Sequence, residues 1–180
     1  MSYELQIYDR TVSSWISIAG GEGSFSLLNS QVYSVNIAKG ETYQLRYRVW
    51  NINGPGEFSE VGYIQAAEAP SRPAGPVYLS SDYDQISLSF TPSTDNGGAQ
   101  ISDVVLEISP YLDTDWQRVT SYDAASLQHT LTAAVDPIIA YGEYRFRYKS
   151  VNAFGSSDYS TDLAVSAIPL PAAPASVQKE

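Results

Sequence analysis

Apolar and polar residues alternate along much of the chain. The run Tyr3-Glu4-Leu5-Gln6-Ile7-Tyr8 alternates as a strand does, and Gln85-Ile86-Ser87-Leu88-Ser89-Phe90 does so cleanly, with Ile86, Leu88 and Phe90 on one side. A period of two sends successive side chains to opposite faces of a strand, so each run predicts a strand with one buried face. Val104, Leu106 and Ile108 mark another strand, followed by a short one around Trp116 and Val119 and one from Ser126 to Thr132. Tyr144, Phe146 and Tyr148 form one side of a longer strand that carries Arg145, Arg147 and Lys149 on the other, and Asp162 to Ile168 closes the series. Turn residues separate the runs, as in Thr91-Pro92-Ser93-Thr94-Asp95-Asn96-Gly97-Gly98. Gly, Asn, Asp and Pro favour such turns because they tolerate or pre-set the required dihedrals. Seven strands in about 100 residues predict an all-β, two-sheet sandwich, and no stretch shows a sustained helical period.

The pattern repeats. Trp15 and Trp116 lie 101 positions apart, and the same offset relates Asn51 to Asn152, Gly54 to Gly155, Tyr43 to Tyr144, Tyr47 to Tyr148 and Ser59 to Ser160. Met1 then falls on Ser102, so residues 70–101 have no counterpart in the first half. The expected organisation is a first module over 1–68 that lacks its first two strands and a complete module over 69–168. Residues 169–180 form a linker or open a further module, since Pro171 and Pro174 repeat Pro70 and Pro73. Met1-Ser2 leads straight into an alternating strand, which suggests a piece of a longer chain. Pro70, Pro73 and Pro76 read as stiffeners of a short connector between the modules.

At these residues the chain resembles fibronectin type III modules. The resemblance rests on Phe90-Thr91-Pro92, Asp95-Asn96-Gly97-Gly98, Ile101, Trp116, Ile138 six positions before Tyr144, Arg145-Phe146-Arg147-Tyr148 and Asn152-Ala153-Phe154-Gly155. In the first half, the run from Ile37 to Gly54 matches more closely still. The chain departs from the family at Phe90, where the family usually has tryptophan, and at Val104, where it often has tyrosine. The resemblance implies tandem immunoglobulin-like sandwiches. Structural roles fall to Tyr43 and Tyr144 at strand starts, to Trp15 and Trp116, and to Gly54 and Gly155 in hairpin loops. A tyrosine at a strand start can bury its ring while its hydroxyl bonds back to nearby backbone.

Composition narrows the chemistry. A net charge of −10 repels phosphate backbones and anionic lipid, so nucleic-acid binding is not expected, and no apolar run is long enough to span a bilayer, so direct membrane insertion of this segment is not expected either. With no cysteine, there is no disulfide, thiolate metal site or cysteine nucleophile. The single histidine, His129, reads as an ordinary strand residue, and no nucleophile-elbow motif accompanies it. Asp82, Asp84, Asp113 and Asp115 read as turn residues rather than calcium ligands. No enzyme activity, metal or cofactor is expected. Most tyrosines, among them Tyr3, Tyr33 and Tyr47, fall on core positions. The candidates for exposed contact are Phe58, Tyr111, Tyr122, Phe154 and Tyr159, with binding assigned to Phe154, Tyr159 and Phe58.

These readings point to a non-enzymatic spacer or protein–protein interaction segment of a larger repeat protein. Its expected partners are other proteins or neighbouring modules, with self-association through the incomplete first module as a further route. An extracellular or cell-surface setting is favoured by the resemblance. An accessory module of a secreted carbohydrate-active enzyme and part of an intracellular cytoskeletal or ciliary array are the alternatives.

Overall fold

The computed structural model describes residues 1–28 and 30–171, which divide into a first unit, Met1–Glu68, and a second that begins at Ala69. The described residues form strands and turns, with no helix among them.

The first unit is a single antiparallel sheet. Its strands are β1 (Ser2–Asp9), β2 (Ser14–Ala19), β3 (Thr42–Asn51), β4 (Gly54–Pro55) and β5 (Gly62–Gln65). The order is β2-β1-β3-β4, with β5 also paired to β3. Leu5 lies opposite Tyr47 and Ile7 opposite Leu45 across the central pair.

The second unit has two sheets. Its strands are β6 (Val77–Ser81), β7 (Gln85–Ser89), β8 (Ile101–Pro110), β9 (Gln117–Arg118), β10 (Gln128–Thr132), β11 (Glu143–Asn152), β12 (Gly155–Ser156) and β13 (Leu163–Ser166). One sheet runs β10-β7-β6; the other runs β12-β11-β8-β9, with β13 also on β11. Because β12 and β13 both pair with β11 at successive stretches, they are one interrupted line, and the sandwich has the seven-line architecture. The pairs Leu106–Tyr148 and Ile108–Phe146 repeat Leu5–Tyr47 and Ile7–Leu45 at the 101-residue offset. The first unit therefore reproduces the β8-containing sheet of the second.

The core lies between the two sheets of the second unit. Ile86 and Leu88 on β7 and Leu131 on β10 face Leu106, Ile108, Phe146 and Tyr148, all essentially without exposure. Full burial of side chains of this size contributes about 1.5–3 kcal/mol each. Phe90 packs its ring 5.2 Å from Tyr148 and 5.1 Å from Tyr122. The Tyr148 hydroxyl donates to the Thr91 carbonyl at 2.7 Å and accepts from the Thr91 amide at 3.1 Å, so one side chain ties the two sheets together.

The structure corrects several sequence expectations. Among its described residues the first unit has no strand of the covering sheet, where the expectation was that only its first two strands are missing. Residues 27–31 correspond to β10, yet the described residues from 20 to 41 carry one isolated bridge, Tyr3–Ser26. The reason is pairing: β10 bonds only to β7, and the first unit has no such strand. A lone strand would leave backbone donors and acceptors unsatisfied on both edges. Ser30 also stands where Leu131 fills the core. Tyr3 and Tyr47, expected in a core, are 40% and 53% exposed for the same lack of a covering layer. Conversely, Tyr122, expected at the surface, is buried against Phe90. Pro70, Pro73 and Pro76 are buried, so they are packed residues rather than a bare connector. Pro174 lies outside the described residues.

Candidate interaction surfaces

Two faces of the paired strands carry the distinctive chemistry. The first is the outer face of each larger sheet, where aromatic rings and cations interleave. Alternation on β3 puts Arg46 and Arg48 on one side. Arg46 lies 4.2 Å from the Trp15 ring and 3.9 Å from Phe58; Arg48 lies 4.3 Å from Phe58 and 5.0 Å from Trp50. In the second unit, Arg147 lies 3.9 Å from both Trp116 and Tyr159, Arg145 sits 5.1 Å from Trp116, and Lys149 is 4.8 Å from Tyr159. Each contact is attractive because the ring faces are electron-rich, by about 0.5–1 kcal/mol at exposed sites. The two tryptophans thus act on the outer face and not in a core. Phe58 and Tyr159, read from sequence as loop contacts, are laid over guanidinium groups. The neighbouring serines explain this, since the Ser59 amide donates to the Tyr47 carbonyl and that of Ser160 to Tyr148, drawing both segments along the sheet.

Carboxylates fix these cations, but at different places. In the second unit Glu107 accepts from Nε and Nη2 of Arg147 at 2.9 and 2.7 Å and from the Tyr159 hydroxyl at 2.6 Å. Its counterpart is Gln6, which accepts from Arg46, while the charge has moved to Glu4 beside Arg48. Glu4 is 3% exposed and accepts from Arg48 at 2.6 Å, Trp50 at 2.9 Å, Ser17 at 2.6 Å and Gln6 at 2.9 Å. Burial opposes its charge, but the hydrogen bonds from Ser17, Arg48, Trp50 and Gln6 outweigh burial and hold its pKa down at about 2. Sequence alternation did not reveal this, because Glu4 reads as an ordinary solvated strand residue.

The second face is the inner side of the first unit. Tyr3, Leu5, Leu45, Tyr47 and Ile64 line it, and Ile64 is 57% exposed where its counterpart Val165 is 8% exposed. At one end Tyr43 anchors the loop before β3, its hydroxyl accepting from the Ala38 amide at 2.8 Å. Tyr144 makes the same bond to Ile139 at 2.8 Å.

No family model matches the chain. Its sequence is 26% identical over 113 residues to titin of Drosophila melanogaster, covering 63% of this chain and 1% of that protein. The chain thus spans only a small fraction of the relative's length. Among solved structures, a segment of titin domains superposes with a TM-score of 0.59 at 15% identity, covering 92% of this chain and 66% of that one. The FN1 to FN3 domains of chicken contactin give 0.53 at 15% identity over 93% and 56%. A two-domain fibronectin type III segment of chicken tenascin gives 0.50 at 12% identity over 92% and 84%. The fold is that of a fibronectin type III tandem.

Within that fold, the hairpin tips and turns account for the remaining candidates. Gly54 and Gly155 take φ values of +123° and +153°, which glycine adopts without steric penalty. The Asn152 side-chain oxygen accepts from the amides of Phe154 and Gly155 at 2.8 and 3.0 Å, leaving Phe154 at the tip 46% exposed. The corresponding tip of the first unit presents Ile52, which is fully exposed. Sequence reading passed over Ile52 because the apolar residue is shifted by one position. Tyr111 is 45% exposed.

His129 belongs to a hydrogen-bonded row. The Ser121 hydroxyl donates to Asp136 at 2.5 Å and lies 2.9 Å from His129 Nε2, while Asp136 also accepts from the Thr132 amide. Serine's one proton is committed to Asp136, so the histidine is the donor to Ser121 and does not activate it as a nucleophile. Burial pushes the His129 pKa down. Asp82 and Asp113 accept from following backbone amides, as turn aspartates do. Among the described residues no cluster of potential ligands is arranged to hold a metal.

Proposed function

We propose that the chain is a non-enzymatic segment of a multi-module protein, in which fibronectin type III units set distance and present contact surfaces to other proteins. The observation that carries this reading is the repetition, at one fixed offset, of both the sheet register and the cation–aromatic ladder. A repeated, internally braced sheet suits a module that bears load and holds its neighbours apart. Similarity to parts of titin, contactin and tenascin supports the same reading. Phe154 and Ile52, at corresponding hairpin tips, are the contact residues we assign. The extracellular setting remains the one we favour from the tandem fold.

Force spectroscopy on the chain tests the spacer role. Unfolding about 100 residues should release roughly 30 nm of chain in one step. Extension of the second unit without a discrete force peak would overturn it. A screen of oligosaccharides against the intact chain separates the accessory-module alternative: saturable binding, lost on substituting Trp116 with Ala, would favour that alternative instead.

A further inference from the structure

One end of the second unit is stripped of charge where the first unit has ion pairs. In the first unit Arg10 pairs with Glu41 at 2.9 Å and Lys39 with Glu68 at 2.6 Å. At the 101-residue offset these four positions carry Tyr111, Gly142, Ala140 and Pro169, none of them charged. Neighbouring side chains grow as well: Thr11, Ser34, Ala38 and Gly40 correspond to Leu112, Val135, Ile139 and Tyr141. All four of the larger residues are exposed, Ile139 least at 70%. Backbone bonds gather them. The Tyr111 amide donates to the Glu143 carbonyl at 2.9 Å, and the Gly142 amide to that of Ile139 at 3.0 Å. Tyr83, in the turn between β6 and β7, joins the group with its ring centroid 5.2 Å from that of Tyr141. Tyr141 holds φ at +63°, in the left-handed region that disfavours a side chain, and such backbone strain concentrates at functional surfaces.

We propose that this end of the second unit is a docking surface for a protein partner with an apolar centre and a rim of lysine or arginine. The charge around the patch selects that chemistry. Asp82 and Asp84 flank Tyr83, Asp113 and Asp115 follow Leu112, and Glu143 follows Gly142; all but Asp82 are exposed. The segments 82–85, 110–116 and 133–143 hold no lysine or arginine. Arg145 reaches the Asp113 carbonyl but is already paired with Asp162. A second copy would bring the same carboxylates together, on a chain of net charge −10, whereas a cationic rim is steered in and held. The repeat itself does not call for large apolar residues here, since the first unit carries Ala38 and Gly40 at these places and runs on into another module. Exposed apolar patches rimmed by polar residues mark contact sites, and tyrosine is among the side chains that dominate interface energy. The patch lies at the start of β11 and Phe154 beyond its other end, so the two surfaces are separate. The inference deepens the protein-contact reading and rests on it for the class of partner.

The test follows the intact chain by residue-resolved NMR, with a synthetic amphipathic peptide of leucine and lysine as the probe and its leucine–glutamate counterpart as control. The lysine peptide should shift the amides of 83, 111–112 and 139–142 saturably, and added salt should weaken it. The glutamate peptide should not bind. Leu112→Thr, Ile139→Ala and Tyr141→Gly together install the residues that the first unit carries at these places, so the fold should hold while affinity falls about tenfold or more. Asp82→Asn with Asp84→Asn should weaken binding about threefold with the apolar centre intact. Shifts confined to other surfaces, equal binding of the glutamate peptide, or undiminished affinity of the folded triple variant overturn the proposal. So does concentration-dependent shifting of the same amides without peptide, which would make a second copy the occupant. The force peak of the second unit and the contact at Phe154 are read independently, so failure here leaves the spacer reading standing.

Discussion

Tyr47 and Tyr148 occupy the same position in two copies of one repeat, on strands paired in the same register. One is 53% exposed and the other 1%. The pair separates two contributions that usually arrive together. Backbone pairing between neighbouring strands suffices to define a sheet, and both units have it. Burial of the whole apolar face requires a second layer, which the second unit has; in the first unit Ile7 is buried, but Tyr3, Tyr47 and Ile64 on the same face stay exposed. Most of the favourable free energy of a sandwich comes from that layer, so two sheets of nearly identical topology are expected to differ widely in stability.

The largest expected effect breaks the comparison at its centre. Phe146→Ala in the second unit removes a side chain with no exposure and should lower stability by about 3–5 kcal/mol. Leu45→Ala at the corresponding position should lower it by less, about 1–2 kcal/mol, because that side chain is only partly buried and leaves no enclosed cavity. Chemical denaturation followed by a probe in each unit measures both. Equal losses would mean that the first unit is covered in solution.

Glu4 offers the next largest effect, in the opposite unit. Its folded pKa of about 2 lies below the ordinary carboxylate value of 4.5. The contribution to stability is therefore fully present above that ordinary range and disappears as pH falls through about 2. At neutral pH it amounts to about 3 kcal/mol on the linkage relation. Glu4→Gln should remove that acid dependence from the first unit, leaving Arg48 short of a counter-charge, while the second unit, with Val105 at the matching position, is unaffected. A pH titration of stability for wild type and variant checks this.

Tyr144→Phe deletes the bond from the Ile139 amide to a buried hydroxyl and should lower stability by about 1–2 kcal/mol. Tyr43→Phe deletes the equivalent bond near solvent and should matter less, on the order of 0.5 kcal/mol. The smallest effect is at Tyr141, which holds φ at +63° where its repeat counterpart is Gly40 at +87°. Tyr141→Gly relieves a left-handed conformation that disfavours non-glycine residues, and loses the ring contact with Tyr83 at 5.2 Å. The net should be a gain of a few tenths of a kcal/mol, visible as a slightly raised thermal midpoint.

Much of this was legible in the residues themselves. Strand positions, the repeat offset and the tyrosine bonds before β3 and β11 follow from local alternation and fixed spacing. What stayed hidden depends on partners distant in sequence. Leu27, Leu28, Ser30 and Gln31 align with β10 but lie outside the strands, for want of a β7 equivalent to pair with. Trp15, Trp116, Phe58 and Tyr159 are aromatic and so invite a core or a loop-contact reading; their place over arginines comes from cross-strand neighbours. The step of the carboxylate from Glu107 to Glu4 is visible in the sequence, but its energetic weight needs the surrounding donors.

The central claim is that the two units share a sheet but not a core. Native-state hydrogen exchange on the intact chain at neutral pH tests it most directly, by comparing amides of 43–49 with those of 144–150. The account predicts that the second set exchanges at least about a hundredfold more slowly, through global unfolding, while the first exchanges through easy local opening. Equal protection of the two sets would contradict it.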